Sequence, residues 1–149
     1  MKLIVPMSGL WFFHILLLGL WGGCVAVEMT IELASRGHFD QKKNIARLHY
    51  YIDCFVEIPI LFLVTLTGLM LLDLSKMHGL YRVKIIIAFV PVIANVLCLI
   101  PVFRRKDAAL AGNEAAVDYH TKLIYLAFYT GITFGLVRMG IGLYVLGLI

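Results

Sequence analysis

His49, Asp53 and Glu57 recur at every fourth position along the run His49-Tyr50-Tyr51-Ile52-Asp53-Cys54-Phe55-Val56-Glu57-Ile58-Pro59. On a helix this spacing stacks one imidazole and two carboxylates in a single stripe. Such a stripe can serve as a buried ion pair, a proton relay or part of a ligand set. The run then continues as Ile60 to Leu72 with no charged residue. Its unbroken apolar part is only about fifteen residues, short of the ~20 that a helix needs to cross a bilayer. A full crossing therefore takes in Asp53 and Glu57. Each carboxylate costs ~2.5–3.5 kcal/mol inside the membrane, while each Leu, Ile, Val or Phe returns about 0.3–0.6, so the sum roughly cancels. The helix should not face lipid all round, and its acidic stripe needs partners.

Other polar residues lie inside apolar runs in the same way. His14, Trp21 and Glu28 follow one another at seven-residue steps in the first run, Lys84 and Asn95 fall in the third, and Arg138 in the fourth. His120 stands where the fourth run begins. At ~1.5 Å of rise per residue these groups form two layers. One holds Glu28, His49, Asp53 and His120, the other His14, Lys84 and Arg138 with His78 in the nearby link. Glu57 and Arg138 come close enough in depth to pair. Two histidines on facing helices are the usual means of holding a b-type haem, with basic side chains at the rim to meet its propionates. His49 with His120 meets the depth requirement. So does His14 with a second ligand drawn from His78, Met139 or Met70. A mononuclear metal site finds less support, because no H-x-x-H, H-x-x-x-H or E-x-x-H spacing occurs. A proton relay through Asp53 and Glu57 rests on their location alone.

The elements that must position these groups follow from composition. The 149 residues are 62% hydrophobic and 15% charged, with a mean hydropathy of +0.94. That balance excludes an ordinary soluble domain. The reading is an all-α integral membrane protein, an antiparallel bundle of four transmembrane helices at about 5–33, 48–74, 82–103 and 119–149, forming one domain. The first apolar run lacks an A-x-A cleavage site and is expected to stay as a helix. Arg36, Lys42, Lys43, Arg47, Arg104, Arg105, Lys106 and Lys122 gather on the first and third connections, which places those in the cytoplasm and both termini on the non-cytoplasmic side. The net charge of +4 is thus a topology signal and not a nucleic-acid surface. Gly19/Gly23 and Gly131/Gly135 are small-xxx-small pairs that allow close helix approach. Pro91 is expected to kink the third helix. Cys24, Cys54 and Cys98 lie far apart in apolar segments and read as small buried hydrophobes.

The first three helices resemble the family of small four-helix membrane proteins that contains the HemJ-type protoporphyrinogen oxidases, with the CopD-like proteins as more distant relatives. The likeness rests on His14-Ile15-Leu16-Leu17-Leu18-Gly19-Leu20-Trp21-Gly22-Gly23, on Pro59 followed by Gly68-Leu69-Met70-Leu71-Leu72, and on Tyr81, Lys84 and Arg104-Arg105. It covers about two-thirds of the chain. The chain departs from the pattern at Glu28 and Glu32, where such proteins carry an Arg-rich continuation, and in having His120 and Arg138 in its last helix. The resemblance implies a haem-associated bundle with His14 as an axial ligand and Lys84 near the cofactor or substrate.

Three functions follow as expectations. The first is a haem b subunit in the bacterial cytoplasmic (inner) membrane, passing electrons between a quinone or haem partner and another redox protein, assembled with other membrane or redox subunits or as a homo-oligomer. The second is a HemJ-like oxidase. The third is a haem-free accessory subunit of a larger membrane complex.

Overall fold

The computed structural model describes residues 9–34, 39–76 and 79–145. Four long helices account for nearly all of them: α1 (Gly9–Ala34), α2 (Phe39–Met70), α3 (Gly79–Leu110) and α4 (Glu114–Val145). Each is long and apolar enough to cross a membrane, and no strand occurs among the described residues. The chain is an all-α membrane protein built on four spanning helices.

The helices reach further than the apolar runs do. α2 starts at Phe39, where the sequence suggested 48, and α3 runs on to Leu110 where it suggested 103. The stretch from Arg104 to Asp118, expected as a connection, is helical except for the turn at Ala111–Asn113, which closes through Gly112 in a left-handed conformation at φ +72°. Hydropathy finds only the part of a helix that lies in hydrocarbon, whereas backbone hydrogen bonding continues into the polar rim. There Ala46, Ala109 and Val117 pack together as a small apolar core. Lys42 reaches Asp118 at 2.8 Å and Glu114 at 3.3 Å. We call this rim the basic end.

Cross-helix partners show every neighbouring pair to be antiparallel. Glu32 meets His49 and His14 meets Thr67 between α1 and α2. His49 meets Arg105, and Glu57 meets Asn95, between α2 and α3. Arg105 meets Thr121, and Lys84 lies against Gly142, between α3 and α4. α3 and α4 pack along their length, and α1 packs on α2. The two pairs meet through the first half of α2 against α3, while Ile58–Met70 barely touches α3. They therefore part toward the end opposite the basic one.

Within α2 the stretch Asp53–Glu57 is a π turn, with the Ile58 N–H bonded to the Asp53 carbonyl five residues back. Pro59 has no N–H for the carbonyl of Phe55 and its ring crowds that carbonyl. Widening the preceding turn takes up the misfit, and such π turns favour functional positions. α3, by contrast, carries Pro91 and Pro101 with no change of helix type.

Among the described residues the buried side chains include eight polar ones, His14, Glu28, Glu32, His49, Asp53, Glu57, Thr67 and Arg105, against eight hydrophobic ones. Large apolar residues such as Phe12, Phe55, Phe62 and Leu126 point outward. Lipid is as apolar as a leucine side chain, so burying apolar surface between helices gives little driving force in a membrane. Interhelical polar contacts hold this bundle together instead. Gly19, Gly23, Gly131 and Gly135 would each accept a Cβ with nothing within 4 Å. The small-residue pairs therefore do not serve close packing inside this bundle.

Candidate functional site

Two polar sites lie along the bundle, on the two layers expected from sequence. Fourteen residues separate His14 from Glu28 on α1, which is about 21 Å of helix.

The first site occupies the half of the bundle toward the basic end. Glu28 and Glu32 come from successive turns of α1, and His49, Asp53 and Glu57 from successive turns of α2. All five are nine-tenths or more buried. Arg105 of α3 is 2% exposed. Its Nη2 donates to Glu32 Oε1 at 2.6 Å and lies 2.8 Å from His49 Nδ1. His49 Nδ1 is itself 2.7 Å from Glu32 Oε1. On the other side of the ring, His49 Nε2 stands 3.4 Å from Asp53 Oδ1 and 3.9 Å from Glu28 Oε2. Glu57 accepts from Trp21 Nε1 at 2.8 Å and from Asn95 Nδ2. Three carboxylates, those of Glu28, Glu32 and Asp53, thus surround the His49 ring. Among the described residues, Glu28 Oε1 and Asp53 Oδ1 have no hydrogen-bond partner, and neither does the Nε of Arg105. A pocket of about 10 Å³ touches Glu28 and His49, room for about one water. On the other side of Glu32 and Arg105, a polar cleft of about 340 Å³ lined also by Lys42, Asp118, Thr121 and Lys122 leads to the basic end.

The second site lies where the helix pairs part. His14 is 7% exposed, with Nδ1 2.8 Å from Thr67 Oγ1. Thr67 gives its hydroxyl proton to the Leu63 carbonyl at 2.7 Å, so its oxygen accepts from the imidazole. That leaves the lone pair of His14 on Nε2. Gly68 makes room for the ring, since a Cβ there would stand 3.2 Å from His14 Cε1. Arg138 and Lys84, from α4 and α3, are near enough for their charges to act on His14 and on each other. The Lys84 ammonium sits against Gly142, whose Cβ would be 3.3 Å away. Neither cation has an anionic partner among the described residues, and the Arg138 Nε is buried without an acceptor.

The structure sorts the residues singled out from sequence. The His49–Asp53–Glu57 stripe is buried as expected, and His14, Trp21 and Glu28 all face α2. Glu57 does not pair with Arg138, because Trp21 and Asn95 take its carboxylate first. His120 stays out of the acid cluster. It is half-buried at the basic end beside Tyr119, and its Nδ1 lacks a partner. His78 lies outside the described residues. Met70 and Met139 are 64% and 57% exposed and point away from the bundle. Two central members escaped the sequence reading. Glu32 sits at the helix end, where an acid looks solvated, and Arg105 sits in a run of basic residues read as a connection. The one available signal was that Glu32 follows Glu28 by one helical turn.

No family model matches the chain, and no curated protein and no solved structure matches it either.

Proposed function

We propose that the chain is a redox subunit of the membrane that holds a b-type haem in the gap between the two helix pairs. The observation that carries this reading is His14, a buried imidazole whose proton is fixed on Nδ1 by Thr67, with a lone pair on Nε2 and, nearby, the cations Lys84 and Arg138, which have no anionic partner among the described residues. Axial histidines are held in this way, by a hydrogen bond on the other ring nitrogen that sets tautomer and orientation. Lys84 and Arg138 suit the two propionates. Gly68 and Gly142 keep side chains away from the places that the ring and the ammonium occupy. When bound, haem supplies one-electron chemistry at its iron. His49 does not fit the same role, because Glu32 and Arg105 crowd one ring nitrogen and Asp53 and Glu28 face the other. His120 lies at the opposite end from His14, so the two cannot share one haem.

The same donors would suit a porphyrinogen substrate, which also carries two propionates. This keeps the HemJ-like reading as the second one. The test is the dithionite-reduced minus oxidised spectrum of pure protein, with His14→Ala beside it. A b-type absorption band that is lost in His14→Ala is the expected result. No band in the wild type refutes the cytochrome, and a band unchanged in the variant refutes His14. Growth of a strain lacking its protoporphyrinogen oxidase, restored by this chain, would favour the enzyme.

A further inference from the structure

We propose that Glu28, His49 and Asp53 form a binding site for one divalent transition-metal cation, separate from the His14 site and independent of the haem reading.

Distance is the first argument. One ligand atom from each of the three residues lies within 4.8 Å of the other two. Ligands around a tetrahedral Zn²⁺-like ion, bound at about 2.0–2.2 Å, stand about 3.3–3.6 Å apart. The His49 Nε2–Asp53 Oδ1 edge is 3.4 Å. The His49 Nε2–Glu28 Oε2 edge, 3.9 Å, needs only a small side-chain movement. Asp53 and His49 lie one turn apart on α2, and Glu28 completes the tripod from α1. The neighbouring pocket, with room for about one water, borders Glu28 and His49, and the fourth position would be filled by a water admitted from that side. Three protein ligands and a water make the usual arrangement of a reactive zinc-type site.

The second argument is unmet valence. Glu28 and Asp53 are 7% and 3% exposed, yet Glu28 Oε1 and Asp53 Oδ1 have no hydrogen-bond partner among the described residues. Buried carboxylate oxygens are seldom left so. His49 is neutral when it ligates a metal, and the two carboxylates that face its Nε2, those of Glu28 and Asp53, carry two negative charges that one divalent ion would match.

The third argument is the support behind the histidine. A metal-bound imidazole commonly donates its other N–H to a carboxylate, which turns its lone pair to the ion. Glu32 Oε1 is 2.7 Å from His49 Nδ1, and Arg105 holds Glu32 in turn at 2.6 Å. Metal binding at Nε2 requires Nδ1–H to go to Glu32 and the Arg105 Nη2, 2.8 Å from Nδ1, to donate to Glu32 alone; the His49 Nε2 lone pair then faces Asp53 and Glu28. The mixed imidazole and carboxylate set suits Zn²⁺, Mn²⁺ or Fe²⁺ better than Mg²⁺ or Ca²⁺.

The test uses full-length protein in detergent, freed of any affinity tag and stripped with a chelator. Zn²⁺ and Mn²⁺ are titrated by calorimetry, and Co²⁺ is titrated by visible absorption. One equivalent should bind, with the strong Co²⁺ d–d bands of a tetrahedral site. Glu28→Gln and Asp53→Asn, which keep side-chain volume, should each abolish the bands. Glu32→Gln, removing only the support of His49, should weaken binding by about 10–100-fold. His14→Ala should leave binding unchanged, which keeps this test apart from that of the haem. A wild type that binds no metal at one equivalent overturns the proposal and leaves protons as the compensating charge. Metal binding that persists in both Glu28→Gln and Asp53→Asn overturns it as well.

Discussion

Arg105→Met should be among the most damaging single substitutions in this chain. The Arg105 Nη2 lies 2.6 Å from Glu32 Oε1, a separation at which unit charges attract by about 6 kcal/mol at an effective dielectric of ~20. Much of that is offset by taking the guanidinium out of water. Its removal, however, takes from the buried Glu32 its 2.6 Å guanidinium partner, and breaking a buried pair on one side costs about 3–5 kcal/mol. Glu32→Gln in the same chain removes the stranded charge, so the double variant should recover part of the loss. The assay is reversible unfolding in mixed detergent and SDS micelles, followed by far-ultraviolet circular dichroism in a double-mutant cycle. If Arg105→Met unfolds within about 1 kcal/mol of the wild type, or the two substitutions simply add, the charge argument fails.

Three other outcomes follow from the contacts. Thr67→Val should free the tautomer of His14 and weaken haem retention by about 10–100-fold, read by haem titration, with little change in helix content. Asn95→Leu and Trp21→Phe each deprive Glu57 of one of its two donors. Each should cost about 1–3 kcal/mol in the same unfolding assay, with the pair costing more than the sum because the last donor is then lost. Lys42→Ala should change stability by less than about 1 kcal/mol, because its partners Glu114 and Asp118 are 57% and 50% exposed.

The amino-acid sequence by itself determined the number of spanning helices, since hydrocarbon admits only long apolar runs whose backbone groups are bonded within the helix. It also determined which acids and histidines had to turn inward, because an ionisable group facing lipid is too costly. His14, Glu28, His49, Asp53 and Glu57 are buried for that reason. The extents of the helices beyond the membrane, and so the place of Arg105, were decided only by the tertiary structure. A basic residue past the last apolar turn reads as solvated until a neighbouring helix covers it. Partner choice was likewise tertiary. Depth brought Glu57 level with Arg138, but the angular positions of the helices gave Glu57 to Trp21 and Asn95 and left Arg138 beside His14. The tripod of Glu28, His49 and Asp53 spans two helices, and no spacing within one helix could announce it.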